Sequence, residues 1–591
     1  MAGFGLQELF IVWAMFFGGI GVPLGNVPGE EDPYLSQIAP EECLMYVSWS
    51  GTVPANPENN VTEKWMAQPE VKAFWKHFFD NLDQAAAVEA GGSRFNEAQP
   101  ILVKTLKLMF TEPGAMYIYP VNEENLAGNF AFKLGEAEAE ITADFGKLDD
   151  EVLAKRGWQR QTEHGMEVVV MKEVGWSDAI LKFGIHNGYL LVALAGEGDE
   201  ASFDALFANE KTPEPNWLTE IKDELPVDRR GSIGMIDMEL GAKALEGLEF
   251  RPVLKSIEGV KRIGFVTGVN ADGFLSRTWI QTEGELGSFF GAFKGEPLGE
   301  DELSRIRADQ EFTGVSRLST EEIYNGIEQF AKSTGSGNEF DELVAGFEGF
   351  AGMTLKDDLL EKIDDFAFLH SNLDPLWLGR KVPFLIGVGI KDEMAFVDTI
   401  EAFSLRIKEL VEQNDDLIFE LNKVDDVVVY SVEGNGLRDW GGEVCFAQAG
   451  NRLLLSNDFK KLESHVKNSA NIKPDDTLFV QPDIKKLFEF GESIGSEGPI
   501  AIIRIDTIRL LEQYWPILKM FEKSIPDVIP GPIPSTIPST KTMTNGLTPN
   551  LSASFRTENG YQLYHKSVTA SSNIPMTAAA AVVLSAVFSD D

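Results

Sequence analysis

The chain has 591 residues, 43% of them hydrophobic and 24% charged, so it is long enough for two to four domains with real cores and is not globally disordered. Its 51 basic and 93 acidic residues leave a net charge of −42, which argues against nucleic acid and against electrostatic docking on anionic lipid. Two cysteines exclude a disulfide scaffold and every cysteine-rich metal module.

Leu9 to Leu24 (LFIVWAMFFGGIGVPL) is apolar and uncharged. It sits at the short edge of a membrane span and also reads as the apolar core of an export signal. No Lys or Arg precedes Lys64, so a basic flank is missing and the positive-inside rule gives no orientation. The segment is expected to export or anchor the chain, with a polar linker following to about residue 35.

Ile38 to Ser48 is read as the start of a folded unit. The stretch from Lys64 to Asp80, with Phe74, Trp75, Phe78 and Phe79, is read as helical core. Glu136 to Leu153 is expected to be an amphipathic helix. His186-Asn187-Gly188-Tyr189 is a two-residue hairpin signal, because Asn-Gly tolerates the positive φ of a type I′ turn. Asp272-Gly273 and Asn559-Gly560 mark two further hairpins. From Asp392 to Gln413, apolar residues recur every three or four positions behind a capping Asp392. Asp506 to Phe521 is another helix, which Pro516 should kink or end.

Five blocks recur in the same order. Ile38–Ser48 resembles Ile306–Ser316, with Val47 against Val315. Val168–Met171 resembles Val427–Tyr430, Phe183–Ala193 resembles Phe446–Ser456, Ile233–Asp237 resembles Ile502–Asp506, and the hairpin at Gly273 resembles that at Gly560. The expected organisation is an apolar segment and linker over 1–35, two tandem homologous α+β modules over 36–303 and 304–572, and a short apolar tail over 573–591. Each module is expected to be an antiparallel sheet of hairpins and meanders, one face wet and the other covered by amphipathic helices. A Pro-rich loop interrupts the second over 525–549. The tail segment Met576 to Phe588 is too short to span a bilayer.

Candidate chemistry is sparse. Gly491-Glu-Ser493-Ile-Gly495 fits G-x-S-x-G, but a hydrolase needs a strand entering that turn and a helix leaving it. Here a helix enters and a strand (Pro499–Ile503) leaves, so Ser493 reads as an ordinary loop serine, with His565 the one histidine after it. Glycines at 231–241 and 346–352 lack the setting of a dinucleotide site. The acidic pairs (Asp149-Asp150, Asp357-Asp358, Asp364-Asp365, Asp415-Asp416, Asp425-Asp426, Asp475-Asp476) lack the alternating ligands of a calcium loop. His77, His164, His186, His370 and His465 show no metal-ligand spacing and are assigned to structure. No catalytic, cofactor or metal residue is expected. Cys43 and Cys445 are expected to be buried thiols, with a single disulfide open as an alternative if the chain is exported.

The segment Ile38–Trp49, the helix-rich stretch from Lys64 to Asp80 and the strand-helix-strand-hairpin order over 382–456 resemble a bacterial family of duplicated α+β envelope proteins of unassigned function. That resemblance implies an exported or anchored extracytoplasmic protein, and it supplies no activity or site residue. The expected function is therefore a non-enzymatic binding or structural role in the cell envelope, with an unidentified protein or hydrophobic ligand as partner. The alternatives are a carrier holding a lipid or other hydrophobic ligand between sheet and helices, and a serine hydrolase using Ser493.

Overall fold

A computed structural model describes residues 27–73, 111–120, 126–147, 150–155, 158–172, 180–195, 201–244, 258–284, 295–317, 319–333, 335–372, 382–414, 416–435, 442–469, 472–520 and 538–568, with a few single positions between them. The apolar segment Leu9–Leu24, the aromatic cluster Phe74–Phe79 with His77, most of the Pro-rich stretch and the tail Met576–Phe588 lie outside the described residues.

The fold is mixed α+β around a large antiparallel sheet. In the N-terminal half the strands are β1 (Val27–Pro28), β2 (Met45–Ser50), β3 (Thr52–Val53), β4 (Pro113–Pro120), β5 (Leu126–Lys133), β6 (Gln159–Glu163), β7 (Met166–Lys172), β8 (Ile180–His186), β9 (Tyr189–Ala195), β10 (Arg229–Asp237), β11 (Val260–Asn270) and β12 (Gly273–Thr282). In the C-terminal half they are β13 (Phe312–Arg317), β14 (Ile363–Ser371), β15 (Phe384–Ile390), β16 (Leu417–Val424), β17 (Val427–Gly434), β18 (Glu443–Ala449), β19 (Arg452–Ser456), β20 (Pro499–Ile505), β21 (Asn550–Thr557) and β22 (Gly560–Ser567). The helices are α1 (Pro33–Gln37), α2 (Val61–Met66), α3 (Glu138–Gly146), α4 (Asp150–Lys155), α5 (Asp204–Asn209), α6 (Asn216–Glu224), α7 (Met238–Ala244), α8 (Glu300–Leu303), α9 (Thr320–Ser333), α10 (Gly337–Ala351), α11 (Glu393–Val411), α12 (Phe459–Ser469), α13 (Pro482–Ser493), α14 (Thr507–Met520) and α15 (Thr540–Thr544).

Among the described residues, every strand outside the small β1–β3 pair joins one 20-stranded sheet. Following the pairings from one edge gives β6-β7-β8-β9-β5-β4-β2-β10-β11-β12, then β22-β21-β20-β13-β14-β15-β19-β18-β17-β16. Read from its own outer edge inward, each half follows the same connectivity. The two meet where β12 pairs antiparallel with β22, from Phe274 opposite Ser567 to Gln281 opposite Gly560. Arg277 and Tyr564, each four residues past its hairpin glycine, face each other at the centre of that seam.

The five recurring sequence blocks fall on strands at matching positions in the two halves, but two of them shift in register. The Asp237 N–H donates to the Leu44 carbonyl, and the Asp506 N–H donates to that of Glu311. Tyr46 therefore corresponds to Thr313, and the alignment of Val47 with Val315 is one residue out. A one-residue slip moves a strand's side chains to the other face. Likewise Val168 pairs with Gly184 and Val429 with Ala447, so Val168 corresponds to Val429 rather than Val427. A run of valines cannot fix its own register; the pleat of its neighbours does.

A wet second face, expected from the hairpin alternation, is not found across the sheet centre: all six residues of β2 are buried. Helices cover both sides. In the N-terminal half, Ile141 and Phe145 of α3 pack with Trp49, Phe132 and Phe183 on one face. On the other, Leu206, Trp217, Leu218 and Ile221 of α5 and α6 pack with Tyr46, Tyr117 and Val168. In the C-terminal half, Phe396, Ile400 and Ile407 of α11 meet Tyr430 and Phe446. Leu462 and Val466 of α12, with Ile484 and Leu487 of α13, meet Phe368, Ile502 and Ala553. Each such side chain contributes about 1.5–3 kcal/mol on burial.

Local signals explain most helices. The Asp392 side chain accepts from the Met394 and Ala395 N–H groups at 3.0 Å each, opening α11 as a capped helix. The stretch Glu136–Leu153 splits into a short 3-10 turn, α3 and the start of α4. Pro516 neither ends α14 nor prevents its continuation to Met520. Its neighbour Trp515 is buried and donates from Nε1 to the Pro538 carbonyl at 2.6 Å, which anchors the helix through the proline. The described part of the Pro-rich stretch is not all extended, since Ser539 caps α15 and Met543 enters the core.

Gly560 shows how tightly the seam is built. Its φ is +133°, and a Cβ there would lie 2.0 Å from the Ile280 carbonyl oxygen on the partner strand. Gly560→Ala combines a strained backbone with a clash that no rotamer relieves. It is expected to lower unfolding stability by roughly 2–4 kcal/mol, read as a lower denaturation midpoint in urea.

Candidate functional site

Ser493 is the last residue of α13, and its Oγ donates to the Phe490 carbonyl at 2.7 Å. His565 bonds through Nδ1 to Ser552 Oγ at 2.7 Å. No hydrogen bond among the described residues joins Ser493 to a histidine, and β20 follows the turn rather than preceding it. The glycines at 231–241 lie in β10 and α7, and Gly352 closes α10 in the left-handed region with φ +68°. Of the acidic pairs, Asp358 bonds Thr354 at a helix start, Asp364 and Asp365 belong to β14, and Asp425 and Asp426 form the β16–β17 turn. Among the described residues no group of three His, Cys, Asp or Glu side chains is placed to hold a metal ion. Cys43 and Cys445 are buried and not joined in a disulfide; burial pushes the Cys43 thiol up, away from the reactive thiolate.

The structure brings together one set of residues that sequence spacing does not. His370 of β14 and His465 of α12 lie with ring centroids 6.0 Å apart, His465 stacking on Phe368 at 5.4 Å. Arg452 of β19 lies over Phe366 and Phe368, 5.4 and 5.3 Å from the ring centroids. Lys461 Nζ donates to Asn372 Oδ1 at 2.9 Å and Gln310 Oε1 at 3.3 Å. Asp309 takes a forked pair of bonds from Arg307, and Glu311 accepts from Gln513.

Burial dominates the electrostatics. It pushes the His370 imidazole down to about 3, helped by His465 and Lys461, and His465 down to about 4, helped by Arg452 and Arg307. Arg452 falls to about 10 through burial and the nearby Arg305. Burial raises the Asp309 carboxyl, but bonds from Arg307 and Gln310 outweigh that and hold it at about 2. Both histidines are therefore neutral at pH 7. His370 is 2% exposed, and its Nε2 has no hydrogen-bond partner among the described residues. Thr313 sits directly opposite His370 in the strand pair, and its Oγ1 is likewise unpartnered there, so the two do not form a nucleophile–base pair. A histidine with a pKa near 3 is also too weak a base for such work at pH 7. The cluster can present neutral donors and acceptors and a π-stacked cation, and it holds no activated nucleophile.

The corresponding row of the N-terminal half is polar too, with different chemistry. Tyr117 takes the place of His370 and Asn129 that of Leu385, judged by their pairing with Tyr46 and Thr313. Tyr189, in the place of Arg452, donates to Asp32 Oδ2 at 2.7 Å, and Lys133 donates to the same oxygen at 2.8 Å. Burial raises Asp32, but the bonds from Lys133 and Tyr189 outweigh it and lower its pKa. Tyr34 lies tilted against Tyr189, ring centroids 4.3 Å apart, and donates to Glu210 at 2.5 Å. Beside this cluster a cleft between Asp32, Ser48, Ser50, Arg230 and Ser232, about 20 Å³ in volume, has room for about one water. The two rows share a place in the fold and no reactive group. Sequence periodicity could not find either, because the partners come from elements far apart in the chain, 157 residues for Asp32 and Tyr189 and 202 for Glu311 and Gln513.

No protein-family model and no curated protein matches the chain. A solved structure, described as crystal form I of TP0453, is similar over 44% of this chain and 81% of that chain, with 9% identity and a TM-score of 0.23. A likeness that slight carries no argument. Among the described residues no helix is long and apolar enough to cross a membrane.

Proposed function

We propose that this chain is a non-enzymatic binding or structural protein of the cell envelope, built from an α+β unit that was copied and fused. The observation that carries the reading is the strand connectivity, repeated in full in both halves while equivalent positions hold Tyr117, Asn129 and Tyr189 in one and His370, Leu385 and Arg452 in the other. The apolar segment Leu9–Leu24 supports export or anchoring. The carrier reading has less support, because the spaces between sheet and helices are filled by Phe203, Trp217, Phe368 and Phe396 among others. Cell fractionation tests the location. Recovery of the full-length chain with the envelope or exported fraction is the expected result, and recovery as soluble cytoplasmic protein refutes it.

A further inference from the structure

The two outer edges of the great sheet differ. At one, β6 (Gln159–Glu163) is polar throughout, and Arg160 is tied to Asp150 at 3.0 Å and Glu167 at 2.9 Å. Charged side chains of this kind are the usual protection of a bare edge. At the other, β16 (LIFELNKV) runs eight residues in unbroken register with β17, without proline or bulge. Its outer side pairs with nothing among the described residues. Ile418 is 58% exposed and Leu421 62% exposed, so apolar side chains stand beside a row of open backbone donors and acceptors. Such an edge is a template for another strand.

We propose that β16 pairs antiparallel with β16 of a second copy of this chain, joining two molecules edge to edge. The strand suits itself. With Leu421 opposite Leu421 of the second copy, Ile418 falls opposite Val424, Phe419 opposite Lys423 and Glu420 opposite Asn422. Within β16 no like charges face each other, the flanking Asp416 and Asp426 meet only beyond the strand ends, and the exposed leucines form the central contact. All these pairs join residues of the same face, as a two-fold axis normal to the sheet requires. The chain already contains one joint of this kind, since β12 and β22 meet antiparallel about the facing pair Arg277 and Tyr564. The alternative occupant, an extended segment of a different protein, requires no self-complementary register.

Cysteine cross-linking and sedimentation of the full-length chain test this directly. The native cysteines are buried, so they do not compete. Leu421→Cys places a thiol opposite its own copy, whereas Thr162→Cys on exposed β6 positions serves as the control edge. Mild oxidation is expected to give a disulfide-linked dimer with L421C and none with T162C. In equilibrium sedimentation the parent chain is expected to move from one to two chain masses as concentration rises. Leu421→Lys, which sets two cations side by side at an exposed position, lowers that association at least about tenfold. A parent chain whose mass stays at one copy at all concentrations overturns the proposal. So does a concentration-dependent dimer that L421K leaves intact, or one in which T162C cross-links as readily as L421C.

Discussion

Replacing Arg277 with methionine is expected to destabilise the protein by roughly 3 kcal/mol, the largest effect of any single polar substitution at the seam. Arg277 is 3% exposed on β12. Its guanidinium donates to the Pro226 carbonyl at 3.1 Å, the Glu224 carbonyl at 3.2 Å and Gln562 Oε1 of β22 at 2.8 Å, and it lies 4.8 Å above the Phe490 ring of α13. Gln562 in turn donates to the Glu224 carboxylate at 2.7 Å. Two effects oppose. Burial lowers the Arg277 pKa to about 10, so holding the cation there has a cost that methionine removes. Against that, three buried acceptors lose a charged donor, each worth about 1–3 kcal/mol, and a cation–π contact of about 1–2 kcal/mol disappears. The second effect is the larger. Urea denaturation at pH 7 checks the result; a midpoint unchanged from that of the parent chain contradicts this account of the seam. Arg277→Lys recovers little, because one ammonium cannot reach three acceptors set out for a planar fork.

Between pH 6.5 and pH 4.5 the protein is expected to lose stability on the order of 3–5 kcal/mol through His370 and His465. Their folded pKa values, about 3 and about 4, lie below the ordinary histidine value of 6.5. Above pH 6.5 neither the folded nor the unfolded chain binds these protons, so the full stability is present. Below it the unfolded chain takes up protons that the folded chain refuses, and stability falls until the folded values are reached. Asp309, held at about 2, acts in the opposite window, contributing above the ordinary aspartate value and losing its contribution only as the pH falls toward 2. The histidines dominate the interval from 6.5 to 4.5; Glu112, whose carboxyl burial raises, takes up its proton in the folded chain there and opposes them in part. Denaturant midpoints across that interval measure the slope. His370→Leu replaces a buried ring whose Nε2 lacks a partner, so it is expected to leave stability at pH 7 nearly unchanged while removing about half the acid loss. A slope identical to that of the parent chain would falsify the assignment.

The hairpins and capped helices were legible in the sequence because their causes are local. Asn187 and Gly188 adopt φ values of +49° and +80°, as a two-residue turn demands, and Asp392 caps α11 where the periodicity begins. The recurrence of the five blocks was legible as order and not as register. Ile38–Ser48 and Ile306–Ser316 share length and polarity, and the extra residue in the first shows only in the strand registers and the Asp237 and Asp506 backbone bonds. Coverage of both sheet faces was foreshadowed by the continuous apolar run Tyr189–Ala195 and obscured elsewhere by alternation, because α3 and α11 cover the face that alternation assigns to water. The polar rows were not legible at all. His370 and His465 are 95 residues apart, and their meeting depends on how α12 returns across β14 after β19 has paired with β15.

The β12–β22 seam also shows what the covalent link between the two halves does. Either half by itself would present a vacant central edge, open to strands other than its intended mate, although only that mate supplies Gln562 and Tyr564 to the buried Arg277. The tether raises the local concentration of the intended mate far above that of any stray competitor, so intramolecular closure outruns promiscuous polymerisation. Covalent linkage here sets partner choice, and a nick between residues 284 and 295 would hand that choice back to mass action.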